Sequence, residues 1–285
     1  LEMRRQHTQR SVELGLLCGR YLPALRHQLG HAQLRGGRAH QARAVAAVGV
    51  LMRFVLPPLV TVVVPFGNSP EKNAAMRALG AELIEAGHDF DAARETASRI
   101  ATERGLDFVA SFGPELVLGV STYAHELFRA AGSLDAVYVP IGMGSGICGV
   151  IAARDMLGLK TKVIGVEPVD AASMKAAVAA GKIVTLNQVD LFADGVAVRR
   201  VGAEPFRIAR RHVDEVLLVD TDEICAAIKD VFEDTRTVVE PSAALGVAAA
   251  KRYVERERLQ GQNLVTVLCG ANVNFDRLRF VAERA

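Results

Sequence analysis

The chain has 285 residues, of which 50% are hydrophobic and 23% charged, and its formal net charge is only +2. This length and composition are typical of one large globular domain or two small ones with a buried core. The low net charge argues against a nucleic-acid-binding protein, because that function needs a basic stripe. The four cysteines are scattered, so we expect reduced thiols, no disulfide framework and no metal site.

Residues 1–60 differ in composition from the rest of the chain. They hold nine Arg and four of the seven His but no Lys, Asp or Asn. Three interpretations stay open: coding sequence read out of frame, a disordered basic leader, or a divergent first segment. The Leu at position 1 also fits a fragment.

An apolar stretch at residues 44–64 has about the length of a membrane span. Arg53 and the pair Pro57-Pro58 interrupt it, and both are costly at the centre of a bilayer. We therefore favour a buried strand at its end over a membrane helix.

Strands and helices alternate from Thr61 onward. The predicted strands are TVVVP (61–65), AELIEAG (81–87), DFVAS (107–111), AVYVPI (136–141), KVIGVEP (162–168), EVLLVD (215–220) and LVTVLCG (264–270). The predicted helices are 71–80, 89–104, 120–132, 147–158, 172–181, 222–234 and 241–258. This order is typical of βαβ units and predicts an α/β fold with mostly parallel sheets.

Several helix ends carry capping signals. Ser69 followed by Pro70 predicts a helix start, and Gly80 predicts the end of that helix. A long helix is expected from Asp89 to about Arg104, and Asp220 with Glu223 forms a plausible capping box.

The sharpest local motif is VPIGMGSGICG at residues 139–149, in which a buried strand runs through glycines directly into a helix. Glycines let a ligand approach the backbone, and a helix N-terminus offers free N–H groups to a phosphate. A dinucleotide-binding loop is the first competitor, but the spacing here is GxGxG, and no convincing acidic strand end follows. A tight turn without a ligand also remains open.

Three further segments hold candidate site residues: LFADGVAV (191–198), FEDTRTVVEPSAAL (232–245) and LCGANVNF (268–275). Taken singly, each has a structural explanation as a turn, a helix start or a strand end.

Together and in this order, the motifs resemble the fold-type II pyridoxal phosphate (PLP) enzymes, and most closely the threonine dehydratases. The resemblance covers about residues 61–285. It implies a fold like that of the tryptophan synthase β-subunit, with two open, mostly parallel sheets flanked by helices and PLP between them. Residues 61–120 would form the smaller domain and 121–285 the larger, PLP-binding one.

The resemblance also assigns site residues. The phosphate loop corresponds to Gly142, Met143, Gly144, Ser145 and Gly146. Gly195 would lie beside the cofactor, Glu240 near its ring, and Cys269 opposite the pyridine nitrogen. A neutral thiol does not hold that nitrogen protonated as a carboxylate would, which suits elimination of a hydroxyl group rather than transamination.

The implied reaction converts L-threonine to 2-oxobutanoate and ammonia, and L-serine would give pyruvate by the same route. A cytoplasmic homo-oligomer in isoleucine biosynthesis is expected, with an amino acid as substrate and no nucleic-acid or membrane partner. The sequence ends without the C-terminal regulatory domain of the biosynthetic enzymes, so none is expected.

This sequence departs from the family pattern in several places. Cys269 replaces the usual Ser, the loop is GMGSG rather than four glycines, and Ser121-Thr122 stands where a glycine-containing turn is common. The S-F-K-x-R-G motif with the Schiff-base lysine and the S-x-G-N-H-x-Q motif are both missing. The first lysine is Lys72, where the family has a surface lysine, so we assign no catalytic lysine. An inactive PLP-binding fragment and a nucleotide-binding α/β protein therefore remain alternatives.

Overall fold

The computed structural model describes residues 60–285. The interpretations given above for residues 1–59, including most of the apolar stretch, lie outside the described residues. Within the described part, no helix is long and apolar enough to cross a membrane.

The described part alternates short strands with helices. In chain order the elements are β1 (Thr61–Val64), α1 (Pro70–Ala78), β2 (Glu82–Glu85), α2 (Phe90–Arg104), α3 (Pro114–Ala130), β3 (Ala136–Pro140), α4 (Ser145–Met156), β4 (Lys162–Pro168), α5 (Ser173–Ala180), α6 (Ala203–His212), β5 (Glu215–Val219), α7 (Thr221–Thr235), α8 (Pro241–Glu257), β6 (Leu264–Thr266) and α9 (Arg277–Arg284). Two 3-10 turns, Val169–Ala171 and Asp194–Val196, lie between these elements.

Side-chain caps set the ends of several helices, as predicted. The Asp89 carboxylate accepts the Ala92 N–H at 2.9 Å, and Gly105 ends α2 in the left-handed region with φ 65°. At the start of α7, Asp220 and Glu223 each accept the other's backbone N–H, at 2.9 and 2.8 Å. The bonds to Asp89, Asp220 and Glu223 satisfy N–H groups that have no acceptor within the helix. Local sequence is therefore enough to place the starts of α2 and α7.

All strand pairs named here are parallel, which confirms the predicted α/β class. β1 and β2 form a two-stranded sheet, and the larger sheet has the order β5-β4-β3-β6. Parallel neighbours place the carboxyl ends of β3, β4 and β6 at the same edge of the larger sheet. The loops that follow these strands therefore meet there.

β3 is the buried centre of the larger sheet. Its alternating side chains face two separate layers: Val137 and Val139 pack with α3 and α4, whereas Ala136 and Tyr138 pack with α7 and α8. This period of two is the pattern of a strand covered by helices on both faces. It explains why AVYVP is apolar without interruption.

One strand prediction was wrong, and another was wrong at its end. Residues 107–111 form no strand, because the described small sheet contains only β1 and β2 and offers this segment no backbone partner. The last strand ends at Thr266 instead of Gly270, because Gly270 leaves the sheet and its carbonyl accepts the Glu240 N–H at 3.1 Å. Helices α6 and α9 were not predicted, and neither has a side-chain hydrogen bond at its N-cap that would signal a start.

The division into domains at about residue 120 stays a prediction. Residues 60–77 and 81–285 cluster as one compact unit by their contacts. Ser121 and Thr122, expected near a turn, lie inside α3, and their hydroxyls donate to the carbonyls of Leu118 and Gly119 at 2.7 and 2.6 Å.

Candidate functional site

The glycine loop lies between the carboxyl end of β3 and the N-terminus of α4. Gly144 is the N-cap of α4 and adopts φ 98°, ψ 4°, a conformation that side-chain-bearing residues rarely take. The first N–H groups of an α-helix have no acceptor within the helix, and the helix dipole adds a partial positive charge there. The loop therefore presents backbone donors and favourable charge to an anion.

Two neighbouring segments, the 3-10 turn Asp194–Val196 and the start of α6, pack closely against this loop. A Cβ on Gly142 would lie 3.2 Å from the Gly195 carbonyl oxygen and 3.3 Å from the Cα of Val196. On Gly144 it would lie 2.8 Å from Cβ of Pro205, the third residue of α6. The 3-10 turn Asp194–Val196 is thus stacked directly on the loop. A side chain at Gly142 would be tight, and one at Gly144 would force its surroundings to shift.

Glu240 joins the other two predicted segments. It is the N-cap of α8, and its carboxylate oxygen Oε2 accepts the Asn272 N–H at 2.9 Å. A Cβ on Gly195 would lie 3.2 Å from Oε1 of Glu240, and one on Gly270 would lie 2.5 Å from Oε2. The glycines of the ADG and CGAN segments therefore let their backbones approach the same carboxylate.

A buried hydroxyl without a partner lies beside this junction. Ser242 is 1% exposed, and among the described residues its Oγ has no hydrogen-bond partner. A Cβ on Gly195 would lie only 2.7 Å from this oxygen. Leaving a buried hydroxyl unpaired costs about 1–3 kcal/mol, so a polar ligand group that reached Ser242 would bind favourably.

Cys269 follows β6 toward the same edge of the sheet. Thr266 is paired with Tyr138, and the Val267 N–H bonds to the Tyr138 carbonyl, so Cys269 extends past the end of the pairing with β3. Its thiol is open to solvent on one side, but the surrounding protein displaces much of its water and the Glu240 carboxylate lies near. Together these raise the pKa of Cys269 to about 11, which keeps the thiol neutral.

Tyr123 of α3 shares this environment. Burial and, to a smaller extent, the neighbouring Cys269 raise the pKa of the Tyr123 phenol to about 12. Neither the Tyr123 phenol nor the Cys269 thiol is therefore ionised at neutral pH.

Glu167, the penultimate residue of β4, contacts the start of α5. It is fully buried and accepts the N–H groups of Met174 and Lys175 in the first turn of α5, both at 2.8 Å. Burial raises the pKa of Glu167 to about 7, against the opposing effect of these two hydrogen bonds. The Met174 side chain reaches to 3.9 Å from the position of a Cβ on Gly144, so α5 supports the loop through this contact.

Lys72 also lies in this region, which its assignment as a surface lysine did not anticipate. Its Nζ is 2.8 Å from Oδ2 of Asp194, and both side chains are about 30% exposed. No local signal in the sequence joins the two, because 122 positions separate them. Ser242 and Asn272 were also missed as individual residues, although both belong to motifs that were identified.

A family model described as "Pyridoxal-phosphate dependent enzyme" matches residues 40–270. The chain belongs to this family. Its fold is that of fold type II, as the resemblance implied, and PLP is the cofactor of the family.

Several curated relatives are biosynthetic threonine dehydratases. The chain is 48% identical over 229 residues to "L-threonine dehydratase biosynthetic IlvA" of Burkholderia multivorans, covering 79% of this chain and 45% of the relative. It is 43% identical over 233 residues to "Threonine dehydratase, mitochondrial" of Saccharomyces cerevisiae, covering 79% and 40%. The chain thus spans less than half the length of these curated relatives.

A solved structure shows the same fold. The processed form of threonine deaminase isoform 2 from Solanum lycopersicum superposes with a TM-score of 0.75 at 37% identity, covering 79% of this chain and 66% of that one. The roles predicted for the eight site residues remain predictions. The structure places Gly195 close to both Gly142 and the Glu240 carboxylate, and Cys269 lies near Glu240.

Proposed function

We propose that this chain carries the cofactor site of a PLP-dependent threonine dehydratase, which eliminates water from L-threonine and releases 2-oxobutanoate and ammonia. The observation that supports this most is the stacking of the 194–196 turn on the glycine loop in a chain up to 48% identical to named threonine dehydratases. L-Serine, giving pyruvate, is the second substrate that we propose.

The residues present fit a phosphorylated aromatic cofactor. In our proposal the backbone N–H groups of Gly142 to Gly146 hold the phosphate at the α4 N-terminus, where the helix dipole favours an anion. Gly195 and Gly270 let their backbones pack against the Glu240 carboxylate, which in our proposal lies near the cofactor ring. The Ser242 hydroxyl, which has no partner among residues 60–285, would provide a further polar contact for the ligand.

PLP, when bound, supplies an electron sink for the bond broken at Cα of the amino acid. The protein contributes to this step through the charge state of the groups that would surround the cofactor. A Cys269 thiol with a pKa of about 11 is neutral at physiological pH, so it would hydrogen-bond to the pyridine nitrogen without holding that nitrogen protonated. A weaker sink favours loss of the β-hydroxyl over transamination.

No lysine of this chain is assigned to a covalent step. Residues 1–60 contain no lysine, and Lys72 is paired with Asp194. We therefore expect the purified chain to bind PLP non-covalently. A cytoplasmic location and a homo-oligomeric assembly also stay proposals.

The test is to titrate the purified chain with PLP and follow the cofactor's fluorescence, with ADP as a parallel ligand. Borohydride treatment and peptide mass spectrometry then report any lysine linked to PLP, and incubation with L-threonine or L-serine reports 2-oxobutanoate or pyruvate. Saturable PLP binding without a linked lysine is the expected result. Binding of ADP but not PLP would refute the cofactor site, and release of 2-oxobutanoate would confirm the reaction while refuting the absence of a catalytic lysine.

A further inference from the structure

The first turn of α1 contacts two of the segments that line the cofactor site. The Ser69 hydroxyl, 9% exposed, accepts the Lys72 N–H at 3.2 Å and donates to Oδ1 of Asn274 at 2.6 Å. From the same turn, Lys72 Nζ donates to Asp194 at 2.8 Å. One helical turn therefore binds both the 194–196 turn and the segment after Gly270.

These two segments meet again at Glu240. Gly195, next to Asp194, packs against the Glu240 carboxylate, and the Asn272 N–H donates to that carboxylate. The contacts thus form a closed ring from α1 through Asp194, Glu240 and the 272–274 segment back to α1. A ring of this kind restrains each member more than a single contact would, because displacing one segment strains two others.

A second ion pair holds the same stretch of chain from the neighbouring helix. The Arg199 guanidinium lies 2.6 Å from Oδ2 of Asp89, the N-cap of α2. The N-termini of α1 and α2 therefore both hold residues 194–199, whose Gly195 is stacked on the phosphate loop.

We propose that Ser69 and Lys72 are positioning residues: they hold the 194–196 turn against the glycine loop and so set the shape of the PLP site. Neither residue need touch the cofactor. This inference rests on the proposed function, because PLP affinity is one of its readouts. The Lys72–Asp194 pair is half-buried, so solvent and salt screen it less than a surface pair.

The test compares Lys72→Met with Arg77→Met in the full chain. Arg77 lies on the same helix and forms an ion pair with Glu85 at 3.1 Å, but that pair is more exposed and does not reach the site. We expect Lys72→Met to weaken PLP binding by about threefold to tenfold, and Arg77→Met to leave it unchanged. In the cofactor-free chain, amide hydrogen exchange at residues 193–197 and 271–275 should be faster in Lys72→Met alone.

Repeating Lys72→Met in a chain that already carries Asp194→Asn distinguishes loss of this ion pair from a general loss of stability. There, Lys72→Met should weaken binding and speed exchange no further, because the partner charge is already gone. Unchanged exchange in Lys72→Met would refute the positioning role, and faster exchange with unchanged PLP affinity would refute its link to the cofactor. If the unaltered chain does not bind PLP, the proposed function fails, whereas the exchange comparison still decides whether Lys72 orders these segments.

Discussion

Replacing Gly144 by alanine tests the geometry of the phosphate loop. Gly144 combines two features that oppose a side chain: a positive φ of 98° and a position where Cβ would lie 2.8 Å from Cβ of Pro205. Optimal carbon–carbon contacts are about 3.5–4.0 Å, so either the loop or α6 would have to move.

The two effects can be estimated separately. A left-handed backbone costs a residue with a side chain about 1–2 kcal/mol, and overpacking of this kind about 1–3 kcal/mol. Alanine also lowers the conformational entropy of the unfolded chain, which stabilises the folded state by about 0.4–1 kcal/mol. We therefore expect Gly144→Ala to lower the free energy of unfolding by about 1–4.5 kcal/mol.

Gly158→Ala is the matched control. Gly158 lies just beyond the other end of α4 with φ 64°, and a Cβ there would meet no atom within 4 Å. Only the backbone cost applies, so the loss should be about 0–1.5 kcal/mol, smaller than in Gly144→Ala by the overpacking contribution.

Urea unfolding followed by circular dichroism measures both variants, and PLP titration measures the loop directly. Gly144→Ala should lose PLP affinity, whereas Gly158→Ala should keep it. Equal stability losses in the two variants would show that Pro205 does not close the loop. Full PLP affinity in Gly144→Ala would contradict the role of the loop in phosphate binding.

Three further predictions concern single groups around the site. Alkylation of Cys269 by iodoacetamide, followed by mass spectrometry, should rise with a midpoint near pH 11, because only the thiolate reacts; a midpoint near 9 would contradict its crowded environment. Burial raises the pKa of Glu167 from 4.5, its value in the unfolded chain, to about 7 in the folded chain. The contribution of Glu167 to the free energy of unfolding is therefore fully present below pH 4.5 and is lost as the pH rises through 7. Glu167→Gln should remove this pH dependence, about 3 kcal/mol in urea unfolding, and an unchanged slope between pH 4.5 and 7 would refute it. Gly270→Ala should destabilise the chain by about 1–3 kcal/mol, because its Cβ would lie 2.5 Å from Oε2 of Glu240, and moving that oxygen would break its bond to the Asn272 N–H. Gly119→Ala, in α3 with open space around it, should not destabilise; equal losses in the two would contradict the close approach.

Local signals in the sequence were sufficient where the deciding interactions are local. KVIGVEP is a strand with the predicted bounds, and the Asp89 and Asp220 caps lie where the residue types placed them. The strand-to-helix glycine loop at 142–146 could also be identified without the structure, because strand, glycines and helix are adjacent in the chain. The α/β class followed from the alternation of elements.

Strand pairing could not be predicted in the same way. The segment 107–111 has the residues of a strand, yet a strand needs a backbone partner, and the described small sheet provides none. The end of β6 depends on the Gly270 carbonyl, which bonds to Glu240 instead of continuing in the sheet.

The amino-acid sequence alone determined which motifs are present, and that their order resembles the order in threonine dehydratases. Only the tertiary structure decided which of them touch. Glu240 lies 45 residues from Gly195, and Lys72 lies 122 residues from Asp194, so no periodicity or capping rule relates them. Gly195 and Asp194 lie in the connection before α6, Glu240 lies at the start of α8 and Lys72 lies in α1, so these contacts form only when distant segments of the chain pack together. The raised pKa values of Cys269 and Glu167 have the same origin, since each depends on atoms that folding places around a group whose own sequence neighbours are unremarkable.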